Sequence, residues 1–216
     1  MIKAKLNSGD KIGDYQLIEV IGEDFKTRTW IANQISVNRE VLLEHLRSNL
    51  LKKPEERELF LADVRSKASV DHHLIGSVLE TDQIGEHMFY VRERLFGKTL
   101  EQMEEGNEML LPTQAANMLM QIAEAFIYLE EIDKGNYPIK PSHIYVNENG
   151  VTRMVNMVYN KPNNQSSFDE KEILGKTLQS LLIDGVAGYT RMKSLCSIMQ
   201  DRKREVPITW KQVKLI

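Results

Sequence analysis

Short apolar runs broken by polar residues fill the first part of the chain, and longer helical periods fill the rest. Tyr15-Gln-Leu-Ile-Glu-Val-Ile and Thr29-Trp-Ile-Ala read as two strands joined by a turn. Val41-Leu42-Leu43 reads as a buried strand, and a second strand pair is predicted around Val78-Leu79-Glu80 and His87-Met88-Phe89-Tyr90-Val91. Between them Pro54 to Val70 is helical in type: Pro54 suits a first turn, Glu55, Glu56 and Glu58 complement the positive end of the dipole, and Phe60, Val64 and Ala68 recur along one face. Further on, Pro112 to Ile132 predicts an amphipathic helix with Ala116, Leu119, Met120, Ala123 and Ile127 inward. Ser167-Phe-Asp-Glu170 is a capping-box signature opening a heavily buried helix with Ile173, Leu174, Thr177, Leu178, Leu181 and Leu182. Met192, Leu195, Cys196 and Met199 repeat at i, i+3, i+4 and i+7, which makes Cys196 a core residue and not a nucleophile. The acidic run Met103-Glu-Glu-Gly-Asn-Glu-Met reads as solvated surface.

The stretch from Asn136 to Val158 carries the most information. Ile144-Tyr145-Val146 is one apolar arm of a hairpin, Met154, Val155, Met157 and Val158 are the other, and Asn147-Glu148-Asn149-Gly150 is the turn. A loop punctuated by Pro138 and Pro141 precedes it.

With 216 residues, 42% hydrophobic and 27% charged, the chain is long enough for one substantial core or two small lobes. A formal net charge of −3 gives no general attraction to nucleic acid or acidic membranes. The single cysteine excludes an internal disulfide and fits a reducing, cytoplasmic setting. The first residues lack an apolar signal core, and no run reaches the roughly eighteen apolar residues of a membrane span.

In order and spacing, the Asn136–Val158 stretch resembles the catalytic loop and metal-binding segment of eukaryotic-like protein kinases, H-R-D-L-K-P-x-N-I-L followed by D-F-G. Other segments are similar to the same family in the same order. These are Gly22 at the glycine-rich loop, Val41 on the phosphate-lysine strand, Glu93 to Leu100 at the hinge, Lys140-Pro141 in the catalytic loop and Leu174-Gly175 in the later helix, with Pro207 to Val213 like the terminal helix, Thr209 its N-cap and Trp210 its anchor. The resemblance implies an α+β, two-lobed protein-kinase-like fold: one domain over 1–216, with a small antiparallel β-rich first lobe over 14–93 and a mainly helical, shortened second lobe over 94–216.

Laid on that frame, the residues that perform kinase chemistry are missing. The first motif's His, Arg and Asp fall on Asn136, Tyr137 and Pro138, the metal-holding Asn on His143, and the Asp of D-F-G on Asn156. Proline can neither accept the substrate proton nor hold Mg²⁺. Asp24 and Thr27 stand where the later glycines of the loop would be, and Glu44 stands at the phosphate-binding lysine. The helix glutamate falls on Asp63, which would face Glu44 across a repulsive gap, so the helix is expected to swing away or Glu44 to turn outward. Arg92 takes the gatekeeper position and would block the base or pair with Glu44 or Asp63. Asn156 and Glu170 lie 14 residues apart, too few for a full activation segment, and no A-P-E occurs. In the turn Asp71-His72-His73, adjacent histidines are expected to point different ways, and with no Cys or further His nearby a zinc site is not expected.

These readings converge on a pseudokinase, not an enzyme, without ATP or metal cofactor, acting through protein partners. The resemblance also implies dimerisation through the first lobe. The chain is expected to be cytoplasmic, alone or as a domain of a longer protein. The alternatives are an atypical nucleotide-binding enzyme, with Asn156, His143 and Asp63 as improvised contacts and Lys140 near the phosphates, and a small-molecule-sensing module using the interlobe cleft.

Overall fold

The near-continuous apolar runs on either side of residue 70 cannot be solvated on either face, and they form the centre of a sheet. The computed structural model of the protein describes residues 6–134, 138–159, 168–204, 206 and 208–215. The chain divides into two units, Met1–Asp71 with Gly76–Arg94, and His72–Ile75 with Leu95–Ile216.

The first unit contains β1 (Lys11–Ile12), β2 (Tyr15–Glu23), β3 (Thr27–Gln34), β4 (Arg39–Leu46), α1 (Ser48–Leu51), α2 (Pro54–Ala68), β5 (Val78–Ile84) and β6 (His87–Glu93). The strands form one six-stranded antiparallel sheet in the order β1-β2-β3-β4-β6-β5. Leu17, Trp30, Val41, Leu43, Phe89 and Val91 join one apolar cluster. Leu46, Met88 and Tyr90 join another, with Phe60 and Val64 of α2. Ala68, expected on that face, is exposed, and Ser66 is buried in its place. On β2 the register shifts between Leu17 and Glu19 and again between Val20 and Gly22. These irregularities break the two-residue alternation and leave Ile18, Val20 and Ile21 outward.

One polar pair is built into this sheet. His45 of β4 and His87 of β6 are both buried, with His45 Nε2 3.0 Å from His87 Nδ1. Burial, reinforced by the His87 and Arg28 charges, lowers the His45 pKa to about 4.

The second unit contains β7 (Lys98–Thr99), α3 (Leu100–Glu105), α4 (Pro112–Glu131), β8 (Ile144–Val146), β9 (Thr152–Met154), α5 (Phe168–Leu181), α6 (Tyr189–Gln200) and α7 (Trp210–Leu215). A 3-10 turn, Pro141–His143, precedes β8, and β7-β8-β9 form a small sheet. The acidic run expected to be solvated opens inside α3 and buries Met103. Thr99 and Gln102 form a reciprocal capping box there: the Gln102 amide donates to Thr99 Oγ1 at 3.1 Å and the Thr99 amide to Gln102 Oε1 at 2.9 Å.

Helix α4 buries Ala115, Met118, Leu119, Ile122, Ala123, Phe126 and Leu129, while Ala116 and Met120 face outward. The helix was legible, and Leu119 and Ala123 are inward as predicted, but Ala115 and Phe126 take the inward places expected of their neighbours Ala116 and Ile127, and Met120 faces outward. The hairpin turn is as expected, with Gly150 at φ 74° and Asn147 Oδ1 accepting from the Asn149 and Val151 amides at 2.9 and 3.0 Å. Its second arm is Thr152–Met154 and not Met154–Val158: the Val155 amide still donates to the His143 carbonyl at 2.9 Å, but the His143 amide is committed to the Lys140 carbonyl of the 3-10 turn, and the ladder ends. Cys196 is buried with Met192, Leu195 and Met199, and burial raises its thiol pKa to about 11. Thr209 caps α7 by accepting from the Gln212 amide at 3.2 Å, and Trp210 stacks on Phe126 with ring centroids 4.4 Å apart. The Ser167 cap of α5 lies outside the described residues. No helix among the described residues is long and apolar enough to cross a membrane.

Two glycines are required by close approach. Gly97 sits at φ 119°, and a Cβ there would collide with the Val146 carbonyl. At Gly175 a Cβ would lie 2.8 Å from the Cys196 carbonyl oxygen of α6. Gly175→Ala therefore forces α5 and α6 apart and is expected to cost about 1–3 kcal/mol despite alanine's better helix propensity; an unchanged urea midpoint would refute the tight contact. The unfolded chain protonates His45 near 6.5 and the folded chain only near 4. Stability present above the upper value should thus decline as pH falls through this window, by about 3 kcal/mol in total. Urea unfolding across that range should show the decline, and His45→Gln should flatten it.

Candidate functional site

The turn between β2 and β3 is Asp24-Phe25-Lys26-Thr27, and three of its amides are already engaged. Asp24 Oδ1 accepts from the Lys26 and Thr27 amides at 2.7 Å each, and the Asp24 amide donates to the Thr27 carbonyl at 3.0 Å. Arg47 fastens the turn to the end of β4, with Nε donating to the Asp24 carbonyl and a guanidinium nitrogen to Glu23 Oε1, both at 2.7 Å. A glycine loop that closes over phosphates offers bare amides to an anion. Here an internal carboxylate takes two of them, and Gly22 lies within paired β2 opposite Thr29.

The β4–β6 pairing sets the next group. Glu44 lies directly opposite Tyr90, and Arg92 opposite Leu42, so Glu44, Tyr90 and Arg92 share one face of the sheet. The Tyr90 hydroxyl donates to Glu44 Oε2 at 2.5 Å, and Arg92 Nε lies 3.4 Å from the same oxygen. Burial first, then the Glu44 charge, raises the Tyr90 pKa well above its ordinary value, so the hydroxyl remains a donor. The Arg92–Glu44 pair proposed from the sequence is present. Glu44 neither turns outward nor stands unpartnered: its side chain is 20% exposed and that of Arg92 19%.

Asp63 does not confront Glu44 unaided. On α2 it pairs with Lys67 one turn later, and Lys67 Nζ also lies 5.9 Å from the centre of the Tyr90 ring. Neither Lys67 nor Tyr90 was expected at this site from the sequence. The Asp63–Lys67 spacing was a readable i, i+4 signal, whereas the place of Tyr90 depends on strand register.

In the second unit Pro138 and Lys140 are exposed, with Ile139 buried between them. The Lys140 carbonyl accepts from the His143 amide at 2.9 Å, and the Lys140 amide donates to His143 Nδ1 at 3.2 Å. His143 thus closes its own 3-10 turn. Asn156 is buried, and its Oδ1 accepts from the Val158 amide at 3.2 Å, an Asx-type turn at the position laid on D-F-G. Asn136 and Tyr137, and residues 160–167 of the stretch judged too short for a full activation segment, lie outside the described residues.

The histidine turn differs from expectation. His72 and His73 do not diverge: their rings stack with centroids 4.8 Å apart and an interplanar angle of 30°. Glu124 of α4 joins them, and the ligand atoms of the three residues all lie within 4.8 Å of one another.

No family model matches the chain. It is 26% identical over 145 residues to the probable serine/threonine-protein kinase PknB of Corynebacterium glutamicum, covering 65% of this chain and 22% of that protein. It is 28% identical over 138 residues to the serine/threonine-protein kinase PrkC of Bacillus subtilis, covering 64% of this chain and 21% of that protein. A probable serine/threonine-protein kinase of Streptomyces coelicolor is 26% identical over 147 residues, covering 66% of this chain and 22% of that protein. The matched region spans about a fifth of the length of these relatives. The chain has a shortened, kinase-like α+β fold.

Glu44→Lys, which restores the residue of the kinase pattern, would put a second cation beside Arg92 and remove the acceptor of the buried Tyr90 hydroxyl. It is expected to lower stability by about 2 kcal/mol, while the uncharged acceptor in Glu44→Gln should cost less. Urea unfolding of the two variants measures the difference, and equal midpoints would contradict the pairing.

Proposed function

We propose that the chain is a pseudokinase: a kinase-like domain that neither grips ATP·Mg nor transfers phosphate, and that works through contacts with other proteins. The observation that carries this reading is the charge at Glu44. A kinase strand presents a cation to the phosphates at this position, whereas here an anion stands there, bonded to Tyr90 and Arg92. The turn at Asp24 supports it, since two of its amides are satisfied by the protein's own carboxylate. Pro138, His143 and Asn156 supply no pair of carboxylates for a proton and a metal.

The partners in this reading are proteins, a second copy of the chain among them, in a cytoplasmic setting consistent with a free, buried Cys196. A second reading, an atypical nucleotide-binding enzyme, is favoured by the names of the relatives, which are serine/threonine-protein kinases, and by the exposed Lys140.

Thermal unfolding with ATP or ADP and Mg²⁺ or Mn²⁺ separates the two. A nucleotide at a hundred times its Kd would add about 2.7 kcal/mol, or about 5–10 °C at the midpoint for a chain of this size. The pseudokinase reading expects no shift. Nucleotide-dependent stabilisation together with transfer of labelled phosphate would overturn it.

A further inference from the structure

We propose that His72, His73 and Glu124 form a binding site for one divalent transition ion of the zinc class, with water completing its coordination. Two imidazoles and one carboxylate are a donor set that zinc takes in three-ligand sites with an open position. Their ligand atoms gather within 4.8 Å of one another, close enough for small side-chain rotations to bring all three onto one ion.

The three residues are far apart in sequence but held by different elements of one unit. His72 and His73 lie in the connection after α2, and Glu124 lies on the fourth turn of α4. Tyr128, one turn beyond Glu124 on the same helix, packs its ring 4.7 Å from the His72 ring, so His72 lies between Tyr128 and His73. This stack restricts the rotamers of the imidazoles before any ion arrives, which lowers the ordering cost of binding.

Existing contacts compete with the ion. The Leu74 amide approaches His72 Nδ1 at a long 3.3 Å, and a half-turn of the ring exchanges the nitrogen offered to the metal. Lys214 of α7 lies 3.0 Å from Glu124 Oε2, in a pair whose side chains are 39% and 38% exposed. Such an exposed pair contributes little and yields to a divalent ion. The imidazoles select against Mg²⁺ and Ca²⁺, which prefer all-oxygen shells. This site is therefore chemically distinct from the nucleotide-metal question above and stands independently of it. A bound ion would tie the turn at 72–73 to α4.

The full chain is titrated with ZnCl₂ by calorimetry and with CoCl₂ by visible absorption. One equivalent of zinc should bind saturably, cobalt should give the intense bands of a low-coordinate ion, and MgCl₂ should give no heat. His73→Asn, at an exposed residue where folding is not at risk, and Glu124→Gln should each weaken zinc binding at least about tenfold, since loss of a ligand costs no less than loss of an outer-shell partner. Absence of saturable zinc binding, or binding undiminished in both variants, as a site at His143 or at His45 and His87 would give, overturns the proposal.

Discussion

The pairing of β4 with β6 is the constraint on which the first unit depends. Both strands carry apolar residues on both faces, with Val41, Leu43, Phe89 and Val91 in one cluster and Leu46, Met88 and Tyr90 in the other. A slip of one residue would carry every side chain to the opposite face and break both clusters at once. Burial therefore locks the register, and the register puts Glu44 opposite Tyr90 with Arg92 two residues along. The polar contacts are a consequence of hydrophobic packing, which is why a half-buried arginine and glutamate are tolerated here: neither is left to bear its desolvation alone.

The same local compensation recurs at four of the positions laid on the kinase pattern. Asp24 spends its carboxylate on the amides of its own turn, Asp63 on Lys67, Glu44 on Tyr90 and Arg92, and Asn156 on the Val158 amide. For the buried Asn156 and the largely buried Glu44 such bonds offset desolvation that an unbonded group would carry, whereas the exposed Asp24 would be solvated in any case. In each of these four cases the side chain is drawn into a bond within its own unit. The relatives are named as kinases, and a shared fold does not by itself assign an activity.

The second unit is held by a different device, close approach of backbone at glycine. Gly97 lets β7 lie against β8, and Gly175 lets α5 lie against the Cys196 turn of α6. Trp210 then covers the end of α4 by stacking on Phe126. The turn at His72 and His73 is packed onto the same helix through Tyr128, giving α4 both a core face and a polar edge.

What the sequence determined by itself was local. The buried runs Val41–Leu43 and Met88–Val91, the Asn147–Gly150 turn, the Met192–Met199 stripe and the Thr209 cap were all legible, because backbone period and side-chain capping act within a few residues. The expectation that Glu44, Pro138 and Asn156 stand at kinase positions came from residue identity and order alone. Tertiary structure decided the rest. It turned Ala116 and Met120 of α4 outward, ended the second hairpin arm at Met154, supplied Tyr90 and Lys67 as neighbours, and brought Glu124 to the paired histidines. Each of these depends on which distant segment packs alongside, and no local period encodes that: Glu44 and Tyr90 meet because two hydrophobic strands share one register, and His72 and Glu124 because a turn rests on a helix folded from residues far along the chain.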